Sequence, residues 1–130
     1  MESFLLTDWT TISADGGVGV ANVTSVPQSA SEWLDLGAFE DATFTLDVRE
    51  VTGAVSISYE TSPTREDGLF VPMLPVVTLA VGVRSDLASF QFASFPLARY
   101  VRWRLSNPGA AGTWGATFRV WVAAHGYGGV

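Results

Sequence analysis

His125 is the only histidine in the chain, and it stands in an Ala- and Gly-rich stretch with no carboxylate or nucleophile beside it. A general base needs a partner within hydrogen-bond reach, so His125 reads as an exposed residue near the carboxy terminus rather than a catalytic one. Two adjacent acid pairs, Glu40-Asp41 and Glu66-Asp67, have the residue types of a glycosidase. Both fall in turn-like segments, where neighbouring side chains diverge and Asp is common for conformational reasons. Asp15-Gly16-Gly17 and Glu66-Asp67-Gly68 offer oxygen ligands for calcium, but without the spaced Asp/Asn run of a dedicated loop. Gly16-Gly17-Val18-Gly19 lacks the Lys and Ser/Thr of a phosphate loop and reads as a hairpin turn. Asn22-Val23-Thr24 fits a glycosylation acceptor by chance. Cysteine is absent, which removes disulfides, thiol chemistry and Cys-based zinc sites. The expectation is a protein that is not an enzyme and carries no catalytic residue, no metal and no cofactor.

Five tryptophans remain. Trp103 shares the apolar phase of its segment and reads as core. Trp121 is out of phase with Phe118, Val120 and Val122 and should face outward. Trp9 and Trp114 lie near turns. Exposed aromatics stack on sugars or anchor protein interfaces. Trp9, Trp114, Trp121 and Tyr127 are therefore the candidate interface or ligand residues.

The elements that position these residues read as strands. In Ala42 to Val51, Phe44, Leu46 and Val48 share one face, while Thr43, Thr45, Asp47 and Arg49 share the other. Val55, Ile57 and Tyr59 resume the alternation after a turn at Val51-Thr52-Gly53-Ala54, which predicts an antiparallel hairpin. Arg99 to Leu105 puts Val101, Trp103 and Leu105 inward and Tyr100, Arg102 and Arg104 outward. With Ala116 to Val122 it predicts a second hairpin. Phe4 to Ile12, Val18 to Val26, Glu32 to Leu36 and Ala88 to Phe92 are further strand candidates. Leu69 to Val81 is apolar, and its prolines suit an edge. About eight strands with Gly and Pro punctuation predict an all-β, two-sheet antiparallel sandwich of jelly-roll type. It forms one domain over residues 1–125, followed by a flexible Gly-rich tail over residues 126–130.

Two stretches carry a family likeness. Trp33-Leu34-Asp35-Leu36-Gly37 resembles a signature strand of discoidin-like, galactose-binding jelly-roll domains, one or two residues short. Ser56 to Pro63, followed by Asp67-Gly68, resembles their Tyr-containing strand and turn. Arg99 to Arg102 and Phe118 to Val120 resemble their last strands. The likeness implies a carbohydrate-binding module that takes glycans or lipids through its loops, although the family's Cys pair is missing. In style the chain is also similar to small accessory structural proteins of tailed bacteriophages, which implies capsid decoration or a tail component.

The charge is −6, from thirteen acidic and seven basic residues, all seven of them Arg. Such a field repels phosphate backbones and anionic bilayers, so neither nucleic acid nor membrane is an expected partner. Charged residues make up 15% of the chain, below the ~25% usual for a globular domain. Apolar surface left over from the core then marks an interface. The expected partners are further copies of the chain, as a homo-oligomer, and a larger protein assembly, with a glycan as the alternative. Met1 to Asp8 has no secretory pattern, so the expected location is a virion assembled in the host cytoplasm.

Overall fold

The computed structural model describes residues 2–15, 24–88, 95–107 and 112–126. Ten strands build two antiparallel sheets. They are β1 (Glu2–Asp15), β2 (Ser25–Pro27), β3 (Leu34–Asp35), β4 (Asp41–Thr52), β5 (Ser56–Ser62), β6 (Val71–Pro72), β7 (Val77–Thr78), β8 (Gly82–Ala88), β9 (Tyr100–Ser106) and β10 (Thr113–His125). The first sheet runs β1-β10-β4-β8. The second runs β2-β9-β5-β6, with β3 also on β9 and β7 also on β5. The only helical pieces among the described residues are single 3-10 turns at Ala30–Glu32 and Asp67–Leu69.

The core is made by the predicted phases. Phe44, Leu46, Val48, Phe118, Val120 and Val122 of the first sheet meet Val55, Ile57, Tyr59, Val101, Trp103 and Leu105 of the second, all buried. Phe44 stacks on Tyr59 with ring centroids 4.2 Å apart, and Trp103 meets Phe118 edge-on at 5.1 Å. Gln28, 2% exposed, ties the sheets together: its side-chain amide donates to the Leu6 carbonyl, and its side-chain oxygen accepts from the Trp103 amide.

Neither predicted hairpin forms. β4 lies in the first sheet and β5 in the second, and β9 and β10 are divided the same way. The chain arches between sheets through Gly53, which adopts φ +72° with Thr113 and Trp114 packed close by. Period two specifies which face a residue takes but not which strand lies beside it, so the phases hold while the pairings differ.

Several segments differ for identifiable reasons. Glu32 to Leu36 is a 3-10 turn followed by the two-residue β3 rather than one strand. β8 escapes the hydrophobic pattern because its alternation is inverted: Val83 and Leu87 are exposed, while Arg84 and Asp86 lie on the core side opposite Leu46 and Phe44. Leu69 to Val81 does form an edge, reduced to two-residue strands by Pro72 and Pro75. Most of Val18 to Val26, all but Ala88 of Ala88 to Phe92, and the tail beyond Gly126 lie outside the described residues.

Candidate interaction surface

The outer faces of the two sheets differ in how they are covered. On the second sheet, Arg102 points away from the core, as its phase predicts, yet it is 1% exposed. Its wet-face assignment is therefore corrected. Arg102 donates to Glu60 across the β5–β9 ladder at 2.8 Å and to Asp67 at 2.5 Å, and its guanidinium lies 4.0 Å from the Phe70 ring centroid. Trp33 lies on Phe70 with ring centroids 4.6 Å apart. Arg65 stands over both Trp33 and Tyr100, and Arg99 stands over Tyr100. Rings and guanidinium groups thus alternate from Phe70 to Arg99, and the face is covered by the chain's own side chains and 3-10 turns. Arg104 gives Glu60 a second cationic partner.

The acid pairs of the sequence are placed by these contacts. Asp67 of Glu66-Asp67 is held by Arg102, whose hydrogen bond keeps its carboxyl below the usual Asp range. Asp35 is likewise lowered, first by Arg99 and then by the Gly37 amide. Asp35 and Arg99 border an open depression with Gly37, Ala38 and Phe39. Glu40-Asp41 sits at the start of β4, where Asp41 pairs in register with His125. Among the described residues no group of three or more metal-ligating side chains converges.

Among the described residues, none forms such a cover on the outer face of the first sheet. Trp121 is 41% exposed, as its phase predicts, and is joined by Leu5 at 40%, Leu87 at 52% and Val83 at 68%. Trp9 is half-buried on the same face, held between the Arg49 and Arg119 guanidinium groups at 4.3 and 4.8 Å. Arg119 reaches Asp47 at 3.4 Å.

Trp114 does not belong to this surface. It is 1% exposed and packs in the core, a correction to its candidate role. The signal was present in the sequence: Trp114, Ala116, Phe118, Val120 and Val122 repeat every second residue. Between them, Gly115 is a strand residue lying so close to the Ile12 carbonyl that a Cβ would not fit. Tyr127 lies outside the described residues. The covered arginine face was missed because Arg102 finds Glu60 only across β5–β9, a pairing that the hairpin reading had displaced.

No family model matches the chain, and no curated protein matches it. Solved structures do. The K1 cleaved adhesin domain of Lys-gingipain from Porphyromonas gingivalis superposes with a TM-score of 0.51 at 14% identity, over 96% of this chain and 98% of that one. A chain of the infectious bursal disease virus VP2 subviral particle gives 0.51 at 12% identity, over 98% of this chain and 33% of that one. The Gx strain of the same virus gives 0.50 at 10% identity, with 99% and 33% covered. This chain therefore spans about a third of the viral chains and nearly all of the adhesin domain. At these identities the likeness is one of fold: a two-sheet, jelly-roll-like β-sandwich shared with an adhesin domain and part of a viral chain.

Proposed function

We propose that the protein is a non-enzymatic structural component that adds to a larger protein assembly, in the manner of a phage capsid decoration or tail protein. The observation that carries this reading is the uncovered outer face of the first sheet, where Trp121, Leu5, Leu87 and Val83 are exposed together. An exposed apolar patch on a chain this poor in charge favours protein contact. Support also comes from fold, since the viral chains that superpose on it use this sandwich as part of a particle-forming protein. Of the acid pairs, Asp67 is engaged by Arg102, which is in keeping with this reading. Co-sedimentation of the purified protein with virus-like particles from the same source tests the reading. Saturable decoration is the expected result. A protein that stays in the supernatant at every ratio overturns it.

A second reading rests on the depression bordered by Asp35, Arg99 and Phe39. A carboxylate, a guanidinium and an aromatic ring are the groups that hold sugar hydroxyls and ring faces. On that reading the chain is a carbohydrate-binding module. A glycan array separates the two, because Arg99→Ala would abolish a sugar signal and leave particle decoration unchanged.

A further inference from the structure

Among the described residues, the edge strands of both sheets are blunted. β1 carries two register shifts, between Leu5 and Thr7 and between Thr7 and Thr10. β8 turns the Arg84–Asp86 ion pair toward the core side. β2 is three residues long and ends at Pro27, and β6 and β7 have two residues each. Bulges, inward-facing charges, prolines and short strands are the devices that prevent strand addition. The second sheet's outer face is covered by its own side chains. Among the described residues, the outer face of the first sheet is what remains for contact.

We propose that this face packs against the same face of a second copy, about a two-fold axis that runs parallel to the strands between β4 and β10. The proposal rests on the assembly reading above and names its first partner. Under this rotation each lateral row of the sheet meets itself in reverse. The central row reads Leu5, Trp121, Thr45, Ser85 across the four strands, two large residues and then two small ones. Reversed, Trp121 lies over the partner's Thr45 and Leu5 over the partner's Ser85. The next row reads Ser3, Ala123, Thr43, Leu87, with the large residue at the other end. Reversed, Leu87 lies over the partner's Ser3. In the third row Arg119 and Asp47 straddle the axis. Reversed, Arg119 faces the partner's Asp47 and Asp47 the partner's Arg119. At these positions size and charge match themselves, which an isologous interface requires, while Val83, beside Asp47, is carried over the partner's β1 between Thr7 and Thr10.

The area is sufficient. Four strands about 4.8 Å apart, averaging roughly 11 residues at about 3.3 Å each, offer about 700 Å² per copy, close to the ~800 Å² of a stable interface.

The test is a charge swap read by light scattering after size exclusion. The parent should run as a dimer. R119D places two carboxylates opposite each other, and D47R places two guanidinium groups opposite each other. Each should weaken the dimer by roughly thirtyfold or more, as loss of a central contact does. An equimolar mixture of the two variants should dimerise again, because each cross-copy pair is restored even though the pair within each chain is not. Circular dichroism checks that each variant keeps its β spectrum. If R119D fails to fold, Ser85→Arg replaces it, since that exposed residue touches the Thr45 hydroxyl and would block the partner's Leu5. A dimeric parent that all these variants leave dimeric overturns the face and the axis while self-assembly stands. A monomeric parent that loses particle binding on Trp121→Ser shows that a foreign protein occupies the face, and overturns the second-copy proposal alone. A monomeric parent that binds no particle overturns both.

Discussion

Arg102 holds a full charge at 1% exposure, and that is tolerable because Glu60 and Asp67 both accept from it. Removing Arg102 takes a partner from the nearly buried Glu60, which keeps only Arg104, and leaves a gap beside the Trp33 and Phe70 rings that it packs on. Arg102→Ala should therefore cost about 3 kcal/mol or more, comparable to the ~3–5 kcal/mol of a large core truncation such as Trp103→Ala. Replacing Arg102 by Met together with Glu60 by Leu should be much milder, because charge and counter-charge leave together. Denaturant melts of these variants decide whether the cluster is structural. A small loss for Arg102→Ala would mean that the face is wetter than its geometry indicates. The tryptophans divide in the same way. Trp114→Ala should cost about 3–5 kcal/mol as a core truncation. Trp121→Ser should stay within about 0.5 kcal/mol, as surface changes do, while losing self-association. A large stability loss for Trp121→Ser would place that ring in the core rather than on the outer face.

At the scale of elements, facing was legible in the sequence and pairing was not. Phe44, Leu46 and Val48 declared their side by spacing alone, as did Val101, Trp103 and Leu105. Their strands pair with partners more than thirty residues away, however, because consecutive strands cross from one sheet to the other. A turn-like Gly53 between two alternating runs looks the same in sequence whether the chain folds back in one sheet or arches to the next. β8 was harder still, since inward charges and outward Val83 and Leu87 reverse the usual rule. Of the surface candidates, Trp121 was legible by phase, and Trp114 would have been had the β10 strand been started two residues earlier. The turn elements also set an acid response. Asp67, the first residue of the second 3-10 turn, and Asp35, in β3, have folded pKa values depressed by Arg102 and Arg99 respectively. A carboxylate with a depressed folded pKa contributes stability above its unfolded value, and that contribution is lost as pH falls through the folded value. Melting temperature should therefore drop as pH is lowered below about 4, the ordinary Asp value. The drop should be shallower in Asp67→Asn. An equally steep drop in that variant would assign the acid sensitivity to other carboxylates.

For the whole molecule, the decisive balance lies between the faces it presents and the edges it withholds. A sandwich with open edges and exposed Val83 and Leu87 would be a template for strand addition. The ion pair of Arg84 and Asp86, with Arg84 Nη2 2.8 Å from Asp86 Oδ1, lies on the core side of the β8 edge. A second chain docking on that edge would have to accommodate two charges at the mouth of the core. The Tyr59 phenol lies beneath this pair, pushed up in pKa first by burial and then by Asp86, so it stays neutral. Replacing both charges, as R84V/D86V, would extend the apolar character of β8 through Val83 to Leu87 on both faces. The isolated domain should then fold with unchanged β content, since the added valines cover Tyr59 and Phe44. Its solubility should fall, with light scattering and thioflavin fluorescence rising on incubation well before those of the parent. The charge-retaining swap R84D/D86R should behave like the parent, because both inward charges are kept. If R84V/D86V stays as soluble as the parent, the β8 edge is protected by something other than its inward charges.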